Sequence, residues 1–113
     1  MPGSDGKEKR KYPRFSTKIT MVHSSSPENK SRQDKTQNIS AIGIGFLTTE
    51  ELRPGTHLEI SLIMPDNGEE IRVKGDVAWS VKVANDNYMV GVNLKDPSLK
   101  PIPIVLRAIQ ARL

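Results

Sequence analysis

The chain has 113 residues, of which 35% are hydrophobic and 27% charged, and it contains no cysteine. That length holds one modest core. The composition excludes disulfide scaffolds, cysteine-ligated zinc and thiol catalysis, and no apolar run approaches the ~20 residues that cross a bilayer. The net charge of +4 has a local source: residues 1–18 carry six cations and two anions, while the other 95 residues balance at 11 and 11. The basic character is therefore aimed at something anionic from one end of a neutral body.

Residues 1–9 are Gly, Pro, Ser and charge, and read as a flexible tail. From Phe15 the pattern alternates, with Phe15, Thr17, Ile19, Met21 and His23 on one face of a half-buried strand. A turn at residues 25–29 follows. Residues 31–37 are polar throughout, so a strand there is expected at an edge or exposed. In residues 38–47, Ile42, Ile44 and Phe46 point one way, and Gly43 and Gly45 the other. A turn at Leu52–Gly55 leads into Leu58, Ile60, Leu62 and Met64, which alternate up to the turn Pro65–Gly68.

Ile71, Val73, Val77, Trp79 and Val81 are expected to share a core face, with Gly75 marking a bend or bulge. Asn85–Asn87 reads as a hairpin turn, and Tyr88, Val90, Val92 and Leu94 as the last strand, with Gly91 facing the opposite way. Near the end, Ile102, Val105, Leu106, Ile109 and Leu113 recur at helical spacing, Pro103 suits a first helical position, and Arg107, Gln110 and Arg112 fall on the polar side. The expected fold is all-β: a small antiparallel barrel or sandwich of five or six strands over residues 15–95, its open end covered by a helix at about 103–112.

The charge cluster contains Arg10 and Arg14 on either side of Tyr12-Pro13, and proline keeps the residue before it out of a helix. Two guanidiniums on an extended lead-in can hold phosphate oxygens, and equally the O6/N7 edge of guanine. Asn38 and Ser40 add short polar side chains where a loop becomes a strand. Gly43 and Gly45 are expected to leave strand backbone open to a flat ligand. Together these describe a surface site for a small anionic molecule with an aromatic base.

Arg10-x-x-x-Arg14 followed by Asn38-x-Ser40-x-x-Gly43 resembles the paired signature of PilZ domains, receptors for cyclic di-GMP, in which the second motif follows the first by about 20–30 residues. Gly75–Trp79 and Tyr88–Val92 also resemble the later strands of that family. The resemblance implies a six-stranded antiparallel β-barrel with a C-terminal α-helix, spanning residues 10–113 with a ligand arm at 10–14. It implies that Arg10 and Arg14 hold guanine and phosphate, that Asn38 and Ser40 hydrogen-bond the base and polar edge, and that Gly43 keeps the strand face clear. Lys9, before the first arginine, either binds a second phosphate or is solvated. Asn38 stands where the family more often has Asp, and a neutral amide accepts less strongly from guanine than a carboxylate.

On this reading the chain is a cytoplasmic binding module with no enzymatic activity and no cofactor besides the ligand. It signals to an unidentified effector protein, with no membrane insertion, in motility or exopolysaccharide control. The histidines, His23 and His57, lack metal-spaced companions, and Glu50-Glu51 and Glu69-Glu70 read as solvated pairs. The alternatives are a small barrel that binds nucleic acid, and a PilZ-like adaptor that binds no ligand. The first is disfavoured because of the five aromatics Phe15, Phe46, Trp79 and Tyr88 are expected in the core, leaving only Tyr12 to stack on bases or anchor the arm.

Overall fold

A computed structural model describes residues 13–25, 31–95 and 101–110. Strands β1 (Phe15–Ser16), β2 (Thr20–Ser24), β3 (Arg32–Ile39), β4 (Gly43–Thr48), β5 (His57–Ile63), β6 (Glu70–Ala84) and β7 (Asn87–Leu94) precede helix α1 (Pro101–Gln110). The sheet runs β3-β2-β5-β6-β7-β4 and closes where β4 pairs with β3, giving a six-stranded antiparallel barrel. Closure leaves the long strands with few free edges. The short β1 pairs with β3 beyond the end of β2.

The expected first strand is thus broken at residues 17–19, although its core face holds: Thr17, Ile19, Met21 and His23 are all buried. Thr36 bridges the break. Its buried hydroxyl accepts from the Ile19 N–H at 2.9 Å and donates to the Thr17 carbonyl at 2.5 Å. Two backbone groups that an irregular strand would strand inside the protein are satisfied this way.

Strand β3 departs from its expectation. Despite its polar sequence it is no edge: β1 and β2 pair along one side and β4 along the other. Ladder hydrogen bonds come from the backbone, so a polar strand can lie mid-sheet when only a few side chains point inward. Here Thr36 and Ile39 do so. Asp34, half-buried, meets the Nε2 of buried His23 at 2.8 Å, and the His23 ring lies 4.9 Å from that of Phe46.

The core is filled from β4 by Ile44 and Phe46, from β5 by Leu58, Ile60 and Leu62, and from β7 by Val90, Val92 and Leu94. Strand β6 corrects the sequence reading. Gly75 is not the bulge; it lies where a Cβ would come within 2.5 Å of the Asn93 carbonyl oxygen, and the register shifts fall between Val77 and Trp79 and between Lys82 and Ala84. One extra residue reverses which side faces inward. Val77 is therefore buried, but Trp79 is 37% exposed, Val81 53% and Val83 52%. Ser80 turns inward instead, opposite Val90, and among the described residues its Oγ is buried without a hydrogen-bond partner. The hairpin turns through Asn85 and Asp86, both at positive φ (40° and 67°), as a two-residue connection requires.

Helix α1 begins at Pro101, two residues before the expected start, and its face is rotated. Ile104 and Ala108 are buried and Val105 packs against the core, whereas Leu106 is exposed. Arg107 is no idle polar residue. Its Nε and Nη2 donate to the two Asp66 carboxylate oxygens at 2.7 and 2.9 Å, and Nη2 also donates to Asn67 Oδ1 at 3.0 Å and meets Glu69 Oε1 at 3.0 Å. This fork ties the helix to the β5–β6 turn. The hydrogen bonds from Arg107 hold the Asp66 carboxyl below its ordinary pKa, and the same partners raise that of Arg107. The side chains of Ile102 and Ile109, and residues 111–113, lie outside the described set. Among the described residues, no helix is long and apolar enough to cross a membrane.

Candidate functional site

The β1–β3 pairing brings the two halves of the motif together. Ser16 pairs with Asn38, so the chain entering β1 passes over the end of β3. Arg14 Nη1 donates to Asn38 Oδ1 at 3.4 Å, a long and solvent-exposed hydrogen bond. The contact spans 24 residues of sequence and leaves most of the guanidinium donors facing solvent. Lys9, Arg10 and Tyr12 lie outside the described residues, as does the rest of the 1–12 segment.

Ser40 is placed differently from the expectation that it offers its hydroxyl to a ligand. It is buried, and its Oγ accepts from the N–H groups of Ile42 (3.3 Å) and Gly43 (3.1 Å), while its own N–H donates to the Gly43 carbonyl at 2.9 Å. Ser40 thus shapes the β3–β4 turn, a use of the serine hydroxyl suited to a tight corner. Gly43 is also buried. A Cβ there would come within 2.8 Å of the Val92 carbonyl oxygen, so glycine permits β4 to run close to β7.

Beside this corner the registers define one row across four strands on the outer face. Asn38 of β3 pairs with Gly45 of β4, Gly45 with Gly91 of β7, and Gly91 with Trp79 of β6. The strand face is not bare, as the sequence reading expects. The Asn38 amide covers Gly45, where a Cβ would meet its Oδ1 at 2.9 Å. The Trp79 indole covers Gly91, where a Cβ would run into the ring. Each glycine makes room for the side chain laid over it, so the row is a low surface formed by an amide beside Arg14 at one end and an indole at the other.

Gly45, expected from the sequence to lie on the ligand face, belongs to this row; Trp79 and Gly91 belong to it too but fall outside the sequence reading of the site. Two outward glycines in strands β4 and β7 are a signal in the sequence. The bulge that turns Trp79 outward leaves none. The next row holds Leu47, Met89 and Val81, with Leu47 and Val81 exposed. A depression of about 330 Å³ lined by Val22, His23, Glu59, Ser61, Arg72 and Lys74, among others, lies across β2, β5 and β6 and contains none of the motif residues. Among the described residues, no group of three His, Asp or Glu side chains is placed to hold a metal.

The sequence model of the PilZ domain matches residues 8–109. The chain belongs to the PilZ domain family. Solved PilZ structures share its fold. The inhibitor of motility MotI/DgrA of Bacillus subtilis superposes with a TM-score of 0.67 at 14% identity, over 91% of this chain and 50% of that one. The PilZ domain of YcgR from Escherichia coli, solved with c-di-GMP, gives 0.65 at 16% identity over 91% of both chains. MrkH of K. pneumonia gives 0.64 at 16% identity, over 86% of this chain and 47% of that one. The chain thus spans about half the length of MotI and MrkH. No curated protein matches it in sequence. In this PilZ domain, Arg14, Asn38, Ser40 and Gly43 occupy one end of the outer row and the turn beside it.

Proposed function

We propose that this PilZ domain is a receptor for cyclic di-GMP, held on the outer face of β3, β4, β7 and β6. The observation that carries the reading is the contact between Arg14 and Asn38, which joins the two halves of the family motif at one end of the glycine row. Relatives of the same fold solved with c-di-GMP, YcgR among them, support the choice of ligand.

In this reading Arg10 and Arg14 supply bidentate donors to phosphate oxygens and to the guanine O6/N7 edge. Asn38 contributes its amide to the base, and Lys9 adds a cation to the arm. Ser40 and Gly43 act through the turn that sets the position of Asn38. The Asn38 amide and the Trp79 indole, laid low over Gly45 and Gly91, offer a planar base an amide edge and an aromatic face. The role is binding without a chemical step. The arm closes over the ligand, and the closed form presents a surface to an effector protein, a population shift driven by contacts made only when ligand is bound. The setting that fits is cytoplasmic signalling in motility or exopolysaccharide control.

Isothermal titration with cyclic di-GMP tests this. Saturable binding is expected, with a shift in emission from Trp79, the single tryptophan of the chain. Arg10→Ala and Arg14→Ala are each expected to remove it. No heat and no spectral shift at tens of micromolar ligand would overturn the reading. Retention of single-stranded DNA or RNA at physiological salt would instead favour a nucleic-acid role.

A further inference from the structure

Strand β6 outruns one of its neighbours. β5 pairs with it from Glu70 to Asp76, whereas β7 continues alongside to Ala84. At Val77 a turn takes over from β5: the Gly55 N–H donates to the Val77 carbonyl at 2.7 Å, and the Val77 N–H to the Thr56 carbonyl at 2.8 Å. Beyond Val77, no described strand or turn pairs with that edge.

The ladder fixes where the backbone groups of this edge point. Val77 turns its N–H and C=O away from β7, so its partner Val92 turns toward β4. Leu94 does the same, donating to the Ile42 carbonyl at 2.8 Å. Alternation along β7 gives Val90 and Tyr88 that direction too. Their partners Ser80 and Lys82 therefore aim both N–H and both C=O groups at the open edge. The side chains between and beside them, Trp79, Val81 and Val83, are exposed and apolar, with Val83 at the second register shift of the β6–β7 ladder, between Lys82 and Ala84.

We propose that this edge pairs with the same edge of a second copy of the chain, antiparallel, about a two-fold axis through Val81. The segment Trp79-Ser80-Val81-Lys82-Val83 alternates apolar and polar in the same order from either end. Centred on Val81, Ser80 of each copy exchanges both ladder hydrogen bonds with Lys82 of the other. Trp79 packs beside Val83 of the second copy, and the two Val81 side chains meet. The register also carries the hairpin residue Asp86 of one copy towards the turn that bears exposed Arg53 in the other. Moving the pairing by two residues towards the hairpin would set Lys82 against Lys82, like charges directly opposite. Moving it by one would set apolar against polar side chains. So short a ladder falls below the ~1,200 Å² of standard interfaces, so the dimer forms at high protein concentration.

The test uses the full chain in sedimentation equilibrium and in crosslinking. Wild type is expected to shift from monomer towards dimer between about 10 μM and 1 mM, the range that suits a small interface. The chain has no native cysteine, so Val81→Cys introduces a single thiol. Opposed Val81 positions form a non-hydrogen-bonded pair with Cα atoms about 4.5 Å apart, within disulfide reach. The Val83 positions of the two copies are four residues out of register, roughly 13 Å apart. Under mild oxidation Val81→Cys is expected to form covalent dimers at least tenfold faster than Val83→Cys. Lys82→Pro removes an N–H that faces the open edge, leaving the β6–β7 ladder intact, and is expected to abolish self-association with the melting temperature unchanged. A monomer at all concentrations, equal crosslinking at the two positions, or undiminished association of Lys82→Pro each overturns the proposal.

Discussion

Thr36→Val exchanges a hydroxyl for a methyl with almost no change of shape, at a side chain with no solvent exposure. The exchange strands the Ile19 N–H and the Thr17 carbonyl, which the hydroxyl satisfies at 2.9 and 2.5 Å. Leaving buried backbone groups unpaired costs about 1–3 kcal/mol each. The added methyl and the removed hydroxyl return part of that, on the order of 1 kcal/mol. The net expectation is a loss of about 1–5 kcal/mol, a large share of the 5–15 kcal/mol typical of a domain. Thr36→Ser keeps the hydroxyl and loses one methyl, about 1 kcal/mol. With a urea slope of roughly 1.5 kcal/mol/M, the Val variant should unfold about 1–3 M earlier, and the Ser variant less than 1 M earlier. Because β1 is held by two residue pairs to β3, the Val variant should also weaken ligand binding by loosening the entry of Arg14. Urea unfolding followed by circular dichroism, with calorimetric titration of each variant, gives both readouts. A Val variant as stable as wild type, or more stable than the Ser variant, refutes this account of the strand break.

Other expectations follow from particular contacts. Gly45→Ala puts a Cβ against the Asn38 amide, so titration should show ligand affinity reduced at least tenfold while the melting temperature changes little. Ser80→Ala removes a buried hydroxyl without a partner among the described residues and should raise stability by up to about 1 kcal/mol in urea unfolding. The lowered carboxyl of Asp66 contributes stability that is fully present above its ordinary value of 3.8 and is lost as the pH falls through its folded value. Arg107→Met should therefore shrink the difference in melting temperature between pH 7 and pH 2.5, read by calorimetry. Replacing Lys7 and Lys11 together should weaken ligand binding mildly, by an amount that fades with added salt; a loss equal to that of either arginine would make the arm a general basic patch.

The sequence by itself determined the alternating faces of β2, β4, β5 and β7, because a strand with one side on a core writes that side into every second residue. It also determined the motif halves Arg10–Arg14 and Asn38–Gly43, and hence the family. The tertiary structure decided the pairing of β3, because backbone ladders are indifferent to side-chain polarity and the closing contact with β4 gives it a partner on the side away from β2. It decided where the Ser40 hydroxyl points, toward two N–H groups of its own turn. It rotated α1 so that Ile104 and Ala108, rather than Leu106, meet the core, with Arg107 held by the β5–β6 turn. Above all it decided the place of Trp79. The apolar rhythm Val77, Trp79, Val81, Val83 reads as one buried face, but an extra residue after Val77 moves Trp79 and Val81 onto the surface, and Val83 lies at a second register shift before Ala84. A bulge depends on the register with the facing strand, and one strand's own residues do not record it.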